Sequence, residues 1–526
     1  MSRVIGVIDV GSNTVRLAVY AADGAGGWRL LTARREVLRL AREGSHLDGG
    51  ALRRTATVLR RFRRVCQDYG VKEILAAATA AVRQADNGPA FVASLRTETG
   101  VACRILDGRA EAEMGFLGGL AGLEIRDGLM ADVGGASTEV TVFRDRRMGS
   151  HESVPVGAVN ATARWLADDP PRRVGVRALH RELAAVWAGL GWLDEARGLP
   201  IVGIGGTFRA LAKVSQRRQG LREPLHGTEV AAALPAQLAK ELARLPAARR
   251  TSVQGVPSHR ADIIVAGLAI IAELVARVGA ERIVVSGQGL RDGLLLHALG
   301  ADGRGAGPPG GGADAGQAVS DPLEASLRNC RSQFGISSRR AARVTALALQ
   351  LFDGLQPAHS LGEAERRALR VACELRDAGT AVDYYARDTH TAYLIRHAPL
   401  HGLSQRERNL AAAAGAFEKL AGHRERWAET GAAAADEIVA ARLGLLCAIA
   451  DGLADILPDP LGAPLEVTAS PSLVRLGLPL ASAEEYGQAL APEQGEDFRK
   501  LFGRPLAVVW LQAAERPGRP TARTQR

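Results

Sequence analysis

Two stretches of the chain share one pattern of apolar and polar positions. Residues 4–20 and 129–143 each contain an apolar run, a short polar turn and a second apolar run. This pattern predicts a β-hairpin in each stretch. The first hairpin is followed by a strand near 36–40, a helix over 49–69, a strand over 71–77 and a helix over 89–99, and the second by strands over 200–205 and 282–286 and a helix over 291–299. The alternation predicts two similar α/β domains, at 1–126 and 127–300.

The rest of the chain has a different pattern. From 325 to about 457, apolar residues recur at helical spacing, which predicts an all-α domain at 321–460. A small α/β segment is expected at 461–512, because strand, strand, helix and strand patterns follow one another there. Residues 301–320 are rich in glycine and proline, which predicts a flexible linker, and the basic tail at 513–526 is expected to be disordered.

Length and composition indicate an ordinary multi-domain globular protein. The chain has 526 residues, 47% hydrophobic and 24% charged, which is too long for one hydrophobic core. The most apolar stretch, 263–278, contains Glu273 and Arg277 and predicts a buried helix rather than a membrane span. The five cysteines are widely separated, and a strand pattern starts within a few residues of Met1. We therefore expect a cytoplasmic protein without a signal peptide or a membrane partner.

The net charge of +10 favours an anionic partner. Of the 67 basic residues, 62 are arginine and five are lysine. A base-composition bias of the genome explains much of the preference for arginine, but it does not explain the positive excess. Arginine also binds phosphate with two parallel hydrogen bonds. Since the chain shows no aromatic platform and no DNA-reading motif, no specific nucleic-acid partner is expected.

The turns of the two hairpins share an Asp-Val-Gly sequence, and a hydroxyl residue closes each of them. The first hairpin reads Ile8-Asp9-Val10-Gly11-Ser12-Asn13-Thr14, and the second reads Ala131-Asp132-Val133-Gly134-Gly135-Ala136-Ser137. The glycines allow backbone N–H groups to converge on an anion, and the hydroxyl groups add donors. Asn13 either orients its loop or contacts phosphate. Two ordinary hairpin turns are the alternative, but two matching turns in two similar domains favour a phosphate site.

The two aspartates in these turns call for a different role. Asp9 and Asp132 would repel phosphate, so we expect them to bind a divalent cation that neutralises it. A third glycine turn, Gly205-Gly206-Thr207, ends a predicted strand and opens a helix, where an anion can bind the helix N-terminus. The set of three turns resembles the actin-like ATPase superfamily. That resemblance implies two actin-like (ribonuclease H-like) domains forming a cleft around phosphate.

The finer details resemble the exopolyphosphatase/guanosine pentaphosphate phosphohydrolase (Ppx/GppA) family. The matching segments are VIDVGSNTVRLAVY, AAATAAVR, DGRAEAEMGFLGG, MADVGGASTEV, GIGGTFRAL, HRADIIVAG and VSGQGLRDGLL, in this order across about 300 residues. The resemblance implies that Glu111 is a general base, that Arg83 holds the phosphate chain and that Glu139 assists a metal or water. A surface position is an equal alternative for Glu139. Mg²⁺, or Mn²⁺, is the implied metal, bound to Asp9 and Asp132.

This sequence departs from the family pattern near Glu111. The usual motif, Gly-x-Glu-Glu-Ala-Arg, is here Gly108-Arg109-Ala110-Glu111-Ala112-Glu113. The missing carboxylate at Ala110 is expected to lower the pKa of Glu111 slightly, and Glu113 to offset that effect. Arg260 and Asp262 are expected to form a structural ion pair.

The helical part resembles the HD-like domain of longer family members. Arg376-Asp377 stands where such domains carry His-Asp, so we expect no second catalytic metal centre there. His390 is expected to be a surface or packed histidine, and Asp451 matches the last aspartate of the motif. A basic platform for a long anion and a homodimer are the expected roles of this domain.

The resemblance leaves several functions open. The first is an exopolyphosphatase that processively removes terminal orthophosphate from inorganic polyphosphate by in-line attack of water. The second is a hydrolase of guanosine pentaphosphate that uses the same site, with guanosine penta- or tetraphosphate as a partner. A non-catalytic polyphosphate or alarmone sensor and an actin-like ATPase or kinase are the alternatives from other classes. Basic charge beyond the core favours the long polymer.

Overall fold

The computed structural model describes the chain in two compact units, Met1–Ala325 and Ser326–Arg526. The described residues are 3–22, 28–40, 46–220, 224–299, 322–400, 402–428, 433–457, 464–478 and 492–510. The predicted linker at 301–320 and the predicted tail at 513–526 lie outside these ranges. Within them, no helix has both the length and the apolar composition to cross a bilayer.

The first domain is a five-stranded sheet with helices on both faces. Its elements are β1 (Arg3–Val10), β2 (Thr14–Ala22), β3 (Trp28–Val37), α1 (Gly49–Asp68), β4 (Glu73–Ala78), α2 (Ala80–Arg83), α3 (Gly88–Thr99), β5 (Cys103–Ile105) and α4 (Gly108–Leu120). The strand order is β3-β2-β1-β4-β5. The third strand begins earlier than the expected 36–40, because the Arg-rich stretch from Trp28 pairs along the whole length of β2.

Alternation of side chains along β1 and β2 gives this sheet two buried faces. One face packs Ile8 and Leu17 against Leu59 and Phe62 of the amphipathic helix α1. The other packs Val7 and its neighbours against α4 and a later helix. Each fully buried leucine or phenylalanine contributes about 1.5–3 kcal/mol to folding. The sheet is thus fixed from both sides up to the end of β1, where the first glycine turn begins.

The second domain repeats this layout. Its elements are β6 (Gly128–Val133), β7 (Thr138–Arg144), β8 (Arg147–Val154), α5 (Ala158–Trp165), α6 (Arg173–Gly189), β9 (Ile201–Ile204), α7 (Gly205–Arg218), β10 (Thr228–Ala231), α8 (Leu234–Leu242), α9 (Ala247–Arg250), α10 (Ile264–Val278), β11 (Arg282–Val285) and α11 (Leu290–Ala298). The strand order is β10-β11-β9-β6-β7-β8. The predicted apolar helix is α10, which is buried in the core of this domain. Helix α11 returns to pack against α4 and β1.

The two hairpins place equivalent residues side by side across their strands. Directly opposite residues of antiparallel strands share a face of the sheet. In the first domain one such row is Asp9, Arg16 and Arg35, which we call the first rung. The equivalent row in the second domain is Asp132, Glu139 and Ser153, the second rung. Each rung starts at the aspartate two residues before a glycine turn.

The second unit is mainly helical and ends in a small sheet. Its helices, the first of which starts just before the unit boundary, are α12 (Pro322–Phe334), α13 (Ser338–Gly354), α14 (Gln356–His359), α15 (Glu363–Glu374), α16 (Arg387–His397), α17 (Gln405–Gly415), α18 (His423–Ala428), α19 (Glu437–Ile456) and α20 (Pro492–Phe502). The strands β12 (Glu466–Ala469), β13 (Val474–Leu478) and β14 (Leu506–Trp510) form a sheet in that order. Helix α19 is buried along most of its length and packs against α13, α15 and α17.

Candidate active site

The two glycine turns have the same backbone geometry. The N–H of Gly11 donates to the carbonyl of Thr14 at 3.1 Å, and the N–H of Gly134 donates to the carbonyl of Ser137 at 3.0 Å. A Cβ at either glycine would lie within 3.0 Å of that same carbonyl oxygen. Any other residue would push the turn open, so glycine is required at both positions for the same steric reason.

The turns meet across a cleft, next to the third glycine turn. A Cβ on Gly135 would lie 3.1 Å from the Cβ of Ser12, so the two turns touch. Gly205, at the start of α7, has a φ of +89°, and a Cβ there would lie 2.4 Å from Oδ1 of Asp132. Only glycine fits both restrictions. The N-terminus of α7 therefore faces the second aspartate.

A polar cavity of about 110 Å³ lies between the three turns. Most of the side chains and glycines that the sequence indicated line it: Asp9, Gly11, Ser12, Asn13, Thr14, Glu111, Asp132, Gly134, Gly135, Ser137, Glu139, Gly205 and Gly206. The amide nitrogen Nδ2 of Asn13 is buried and has no hydrogen-bond partner among the described residues. An unpaired buried donor in such a place is available to a ligand.

Glu111 reaches the cavity from the first turn of α4. Asp107 caps this helix by accepting a hydrogen bond from the N–H of Ala110 at 2.7 Å. Burial, and then the nearby charge of Glu139, raises the pKa of Glu111 well above its ordinary range, although Arg83 opposes the shift. A buried carboxylate with a raised pKa is suited to accept a proton.

Arg83 does not line the cavity, although the resemblance implied a phosphate contact for it. Its guanidinium donates to the carboxylate of Glu111 and, at 3.0 Å, to the carbonyl of Leu106. A long contact, 3.5 Å, joins its Nη2 to the hydroxyl of Ser153. Its described contacts hold the carboxylate of Glu111 in place.

Thr207 is also set back from the cavity. Its side chain is fully buried against α10, where a Cβ on Gly267 would lie 2.7 Å from its hydroxyl oxygen. That hydroxyl accepts a long hydrogen bond, 3.4 Å, from Nη1 of Arg260. Thr207 therefore contacts an arginine that lines the cavity, and its own side chain is turned into the core.

Glu139 lies on the second rung, beside Glu111. Its Oε1 accepts hydrogen bonds from the hydroxyl groups of Ser137 at 2.6 Å and Ser153 at 2.8 Å. Burial, and then the charge of Asp132, raises its pKa to about 7. The exposed alternative considered for Glu139 is wrong, since only 7% of the residue is accessible to solvent. The rung places it in the site because it is opposite Asp132.

The two substitutions around Glu111 have local partners. Ala110 is buried in the apolar cluster shared with β1 and α11. Glu113 pairs with Arg109 one turn back, at 2.8 Å. The carboxylate that is missing at Ala110 would have stood at a buried position, and the added carboxylate of Glu113 is neutralised by Arg109. The pKa of Glu111 is set mainly by burial and by Glu139.

Four arginines that the sequence did not single out as ligands also line the cavity: Arg16, Arg209, Arg260 and Arg291. Burial and mutual repulsion lower the pKa of Arg209 to about 9 and that of Arg260 to about 10, which still leaves both charged at neutral pH. The carboxylates of Asp9 and Asp132 offset part of this positive charge, and a bound anion would offset more of it. All four lie in segments that match the family, but local pattern alone did not indicate that their side chains enter the cavity.

The expected ion pair between Arg260 and Asp262 is replaced by other contacts. The carboxylate of Asp262 lies 2.7 Å from Arg39, whereas the guanidinium of Arg260 lies in the cavity beside Gly206 and Thr207. The short 3₁₀ segment Ser258–Arg260 turns the arginine inward. Arg260 and Asp262 thus have different nearest partners, although the charge of Asp262 still acts on Arg260.

Asp9 and Asp132 face the cavity and have no hydrogen bond or ion pair among the described residues. Burial raises the pKa of each, and the charge of Asp9 adds to the shift of Asp132. The described part of the chain contains no cluster of three or more acidic, histidine or cysteine side chains arranged to bind a metal. The protein itself therefore offers two carboxylates to a cation, with Glu139 held apart by two serines.

In the second unit, a buried ion pair occupies the place of the HD motif. Arg376 donates to Asp451 at 2.8 Å and to the carbonyls of Gly415 and Phe417 at 3.3 Å. Burial alone would raise the pKa of Asp451, but the guanidinium of Arg376 holds it below its ordinary range. His390 is partly buried on α16. An arginine at this position contributes a charge partner and packing, not a metal ligand.

The fold and the cavity define an enzyme of the actin-like class that has its site in the cleft between two related domains. A family model described as the Ppx/GppA phosphatase family matches residues 21–301, and a model for domain III of these phosphatases matches residues 324–450. The chain belongs to the Ppx/GppA phosphatase family, as the motifs predicted. It is a hydrolase that acts on phosphoric anhydrides.

Individual relatives agree with this assignment. Exopolyphosphatase 1 of Mycobacterium tuberculosis is 33% identical over 308 residues, which cover 56% of this chain and 88% of the relative. The crystal structure of an exopolyphosphatase from Cytophaga hutchinsonii is 24% identical, with a TM-score of 0.54 over 58% of this chain and 100% of that one. The Aquifex aeolicus member of the family is 24% identical, with a TM-score of 0.50 over the same shares. The two structures confirm the fold.

Proposed function

We propose that the chain is an exopolyphosphatase, which removes terminal orthophosphate units from inorganic polyphosphate one after another. The observation that carries this proposal is that Glu111 lines the same cavity as both phosphate turns. A base and an anion site in one cavity are the parts that hydrolysis of a terminal phosphate requires. The name and the 33% identity of the mycobacterial relative support the substrate.

In the proposed reaction, Glu111 accepts a proton from a water molecule. The oxygen of that water attacks the terminal phosphorus in line, and the bond from phosphorus to the bridging oxygen breaks. Orthophosphate and a chain shorter by one unit are the products. Arg83 orients the carboxylate of Glu111, and Glu139 raises its affinity for the proton.

The cavity supplies positive charge and hydrogen-bond donors for the phosphate oxygens. Donors come from the backbone N–H groups of the turns, the hydroxyls of Ser12 and Thr14, and the amide of Asn13. The four cavity arginines neutralise the negative charge of the chain. Because these donors are already held in place, little reorganisation is needed when charge builds up in the transition state.

Asp9 and Asp132 are the residues that would hold Mg²⁺ or Mn²⁺. Magnesium binds proteins through one or two carboxylates together with substrate phosphate oxygens, and two free carboxylates facing a phosphate site fit that description. When bound, the cation would neutralise charge on the phosphates. We assign Glu139 to orienting the water with Glu111, since both carboxylates line the cavity and the charge of Glu139 acts on Glu111.

The test compares substrates with the purified full-length protein in the presence of Mg²⁺. Long-chain polyphosphate, guanosine pentaphosphate and ATP are incubated separately, and orthophosphate is measured for the wild type and Glu111→Gln. We expect release from polyphosphate and a roughly 10²- to 10⁴-fold lower kcat in Glu111→Gln. Glu113→Gln is the matched control. Glu113 lies two residues after Glu111 on the same helix, but its carboxylate pairs with Arg109.

Each other outcome points to a different function. Release from guanosine pentaphosphate alone would favour the alarmone hydrolase. Tight polyphosphate binding without release would favour a sensor. Release from ATP alone would contradict the proposed substrate, and full activity in Glu111→Gln would remove the proposed base.

The homodimer and the alarmone partner expected from the family resemblance stay predictions. Light scattering of the full-length protein would measure its mass, and calorimetry with guanosine tetraphosphate would measure binding of the nucleotide.

A further inference from the structure

Positive charge continues from the cavity to its rim along the first rung. Arg16 lines the cavity, and Arg35, directly opposite on the edge strand β3, is exposed. Opposite residues of antiparallel strands share a face, so the two guanidinium groups lie on the same side of the sheet. The strand pairing thus carries positive charge from a buried position to the surface.

Helix α7 carries charge outward in the same way. Arg209 lines the cavity, and Lys213, four residues later, is exposed. Residues four apart lie on the same face of a helix, one turn from each other. This second element therefore also presents one cation inside the cavity and one outside it.

The segment Ser258–Arg260 brings a third element to the same place. Arg260 lines the cavity, and the preceding residue, His259, contacts Arg35, with Nη1 of Arg35 2.9 Å from Nε2 of His259. Since arginine only donates hydrogen bonds, Nε2 of His259 is the acceptor and the ring is neutral. Burial, and then the charges of Arg35, Arg260, Arg16 and Lys213, lowers the pKa of His259 to about 4.

All four charged groups that act on His259 are cations. Asp262, an acid two residues after Arg260, is neutralised by Arg39 at 2.7 Å. Asp9 and Asp132 act on Arg16, and Asp132 and Asp262 act on Arg260, but neither Arg35 nor Lys213 has an ion pair among the described residues. An anion bound between these two outer cations would remove their repulsion. The rim thus has the charge of an anion site, and it is continuous with the cavity.

We infer that Arg35, His259 and Lys213 form a second anion subsite, the rim subsite, which binds phosphate units of the substrate that extend beyond the cavity. The inference rests on the proposed function. A cavity of about 110 Å³ cannot contain a long chain, so the rest of the polymer must leave it. Two independent elements, β3 and α7, lead cations out beside the neutral His259, which makes this the exit for the trailing chain.

The test measures discrimination by chain length. Arg35→Ala and Lys213→Ala are made in full-length protein that also carries Glu111→Gln, so that substrate is not consumed. Calorimetry gives the Kd for long-chain polyphosphate and for tripolyphosphate. Both variants are expected to reduce the ratio of the tripolyphosphate Kd to the long-chain Kd roughly 3- to 10-fold, most strongly at low salt.

Arg34→Ala is the matched control. Arg34 is the exposed neighbour of Arg35 on β3, faces the other side of the sheet and donates to Thr32. The ratio should not change in this variant. An equal change in Arg34→Ala would show unspecific surface charge, and either an equal loss for both ligands or no loss in Arg35→Ala would overturn the rim subsite.

Binding also separates this inference from the proposed function. If the wild type releases no orthophosphate and the Kd ratio still falls in Arg35→Ala, only the proposed function fails. If the wild type hydrolyses polyphosphate and the ratio is unchanged in Arg35→Ala, only the rim subsite fails.

Discussion

The two rungs occupy equivalent places in the two domains but carry opposite chemistry. Both begin with an aspartate two residues before a glycine turn of the same geometry. In the first rung the next residues are Arg16 and Arg35, and in the second they are Glu139 and Ser153. The first rung therefore adds positive charge beside the cavity, whereas the second adds a carboxylate beside Glu111.

This difference explains how a duplicated fold can make an asymmetric site. The duplicated parts are the aspartates and the turns, and in the proposed reaction they act on the terminal phosphate and its cation from two sides. The parts that differ provide separate tasks: the basic rung attracts and positions the anion, and the acidic rung supports the base that activates water. One side chain per rung, opposite the aspartate, is enough to make this distinction.

The largest expected effect tests what the rungs share. Asp9→Asn and Asp132→Asn should each lower kcat roughly 10²- to 10³-fold, because each removes half of one cation site. The double variant should be little worse than either single one, since groups that act as a unit are not additive. Orthophosphate release across a Mg²⁺ titration measures this. Losses that multiply in the double variant would contradict a shared cation.

The next effect tests what the rungs do not share. Arg16→Gln should raise KM roughly 10- to 100-fold with a smaller change in kcat, because it removes charge-assisted hydrogen bonds to the substrate. Glu139→Gln should mainly lower kcat. Steady-state kinetics with polyphosphate separates the two constants. If both variants changed KM and kcat alike, the proposed division of tasks would be wrong.

The pH dependence gives a third test. Burial and Glu139 raise the pKa of Glu111, and the pKa of Glu139 itself is about 7. Protonation at lower pH removes the base, so kcat/KM should fall as the pH drops through the raised pKa of Glu111. Glu139→Gln removes a negative charge beside Glu111. This lowers the pKa of Glu111, so the acidic limb of the kcat/KM profile should move to lower pH. Arg16→Gln should not move the acidic limb of the profile. If it moved the limb as far as Glu139→Gln does, the assignment of Glu139 as the group that raises the pKa of Glu111 would be contradicted.

The smallest effect compares the outer residues of the rungs. Ser153→Ala should lower kcat roughly 2- to 10-fold for long and short substrates alike, because it removes one hydrogen bond that holds Glu139. Arg35→Ala, by contrast, should act by chain length. Ser150→Ala is the control, since this serine of the same strand bonds to Glu195 outside the site. A length-dependent effect of Ser153→Ala would break the comparison.

Much of the fold and the centre of the site could be predicted from sequence. The hairpins, the glycine turns and Glu111 lie in short motifs, where local pattern and spacing carry the information. Arg83 shows what local pattern leaves out: its phosphate role stays a prediction from the family resemblance, whereas its described contacts are to Glu111, Leu106 and Ser153. These partners are 28, 23 and 70 residues away in sequence, and no local pattern encodes such distances.

The sequence by itself determined the family, the two-domain fold and the positions of the turns, because glycine, aspartate and alternating apolar residues have local consequences. The matching segments contain six of the 62 arginines, and the tertiary structure decided which four of these line the cavity and which carboxylate stands beside Glu111. Strand register and helix packing make that selection. A motif places an arginine in a segment, but the partner across a strand or one helical turn away decides what its side chain contacts.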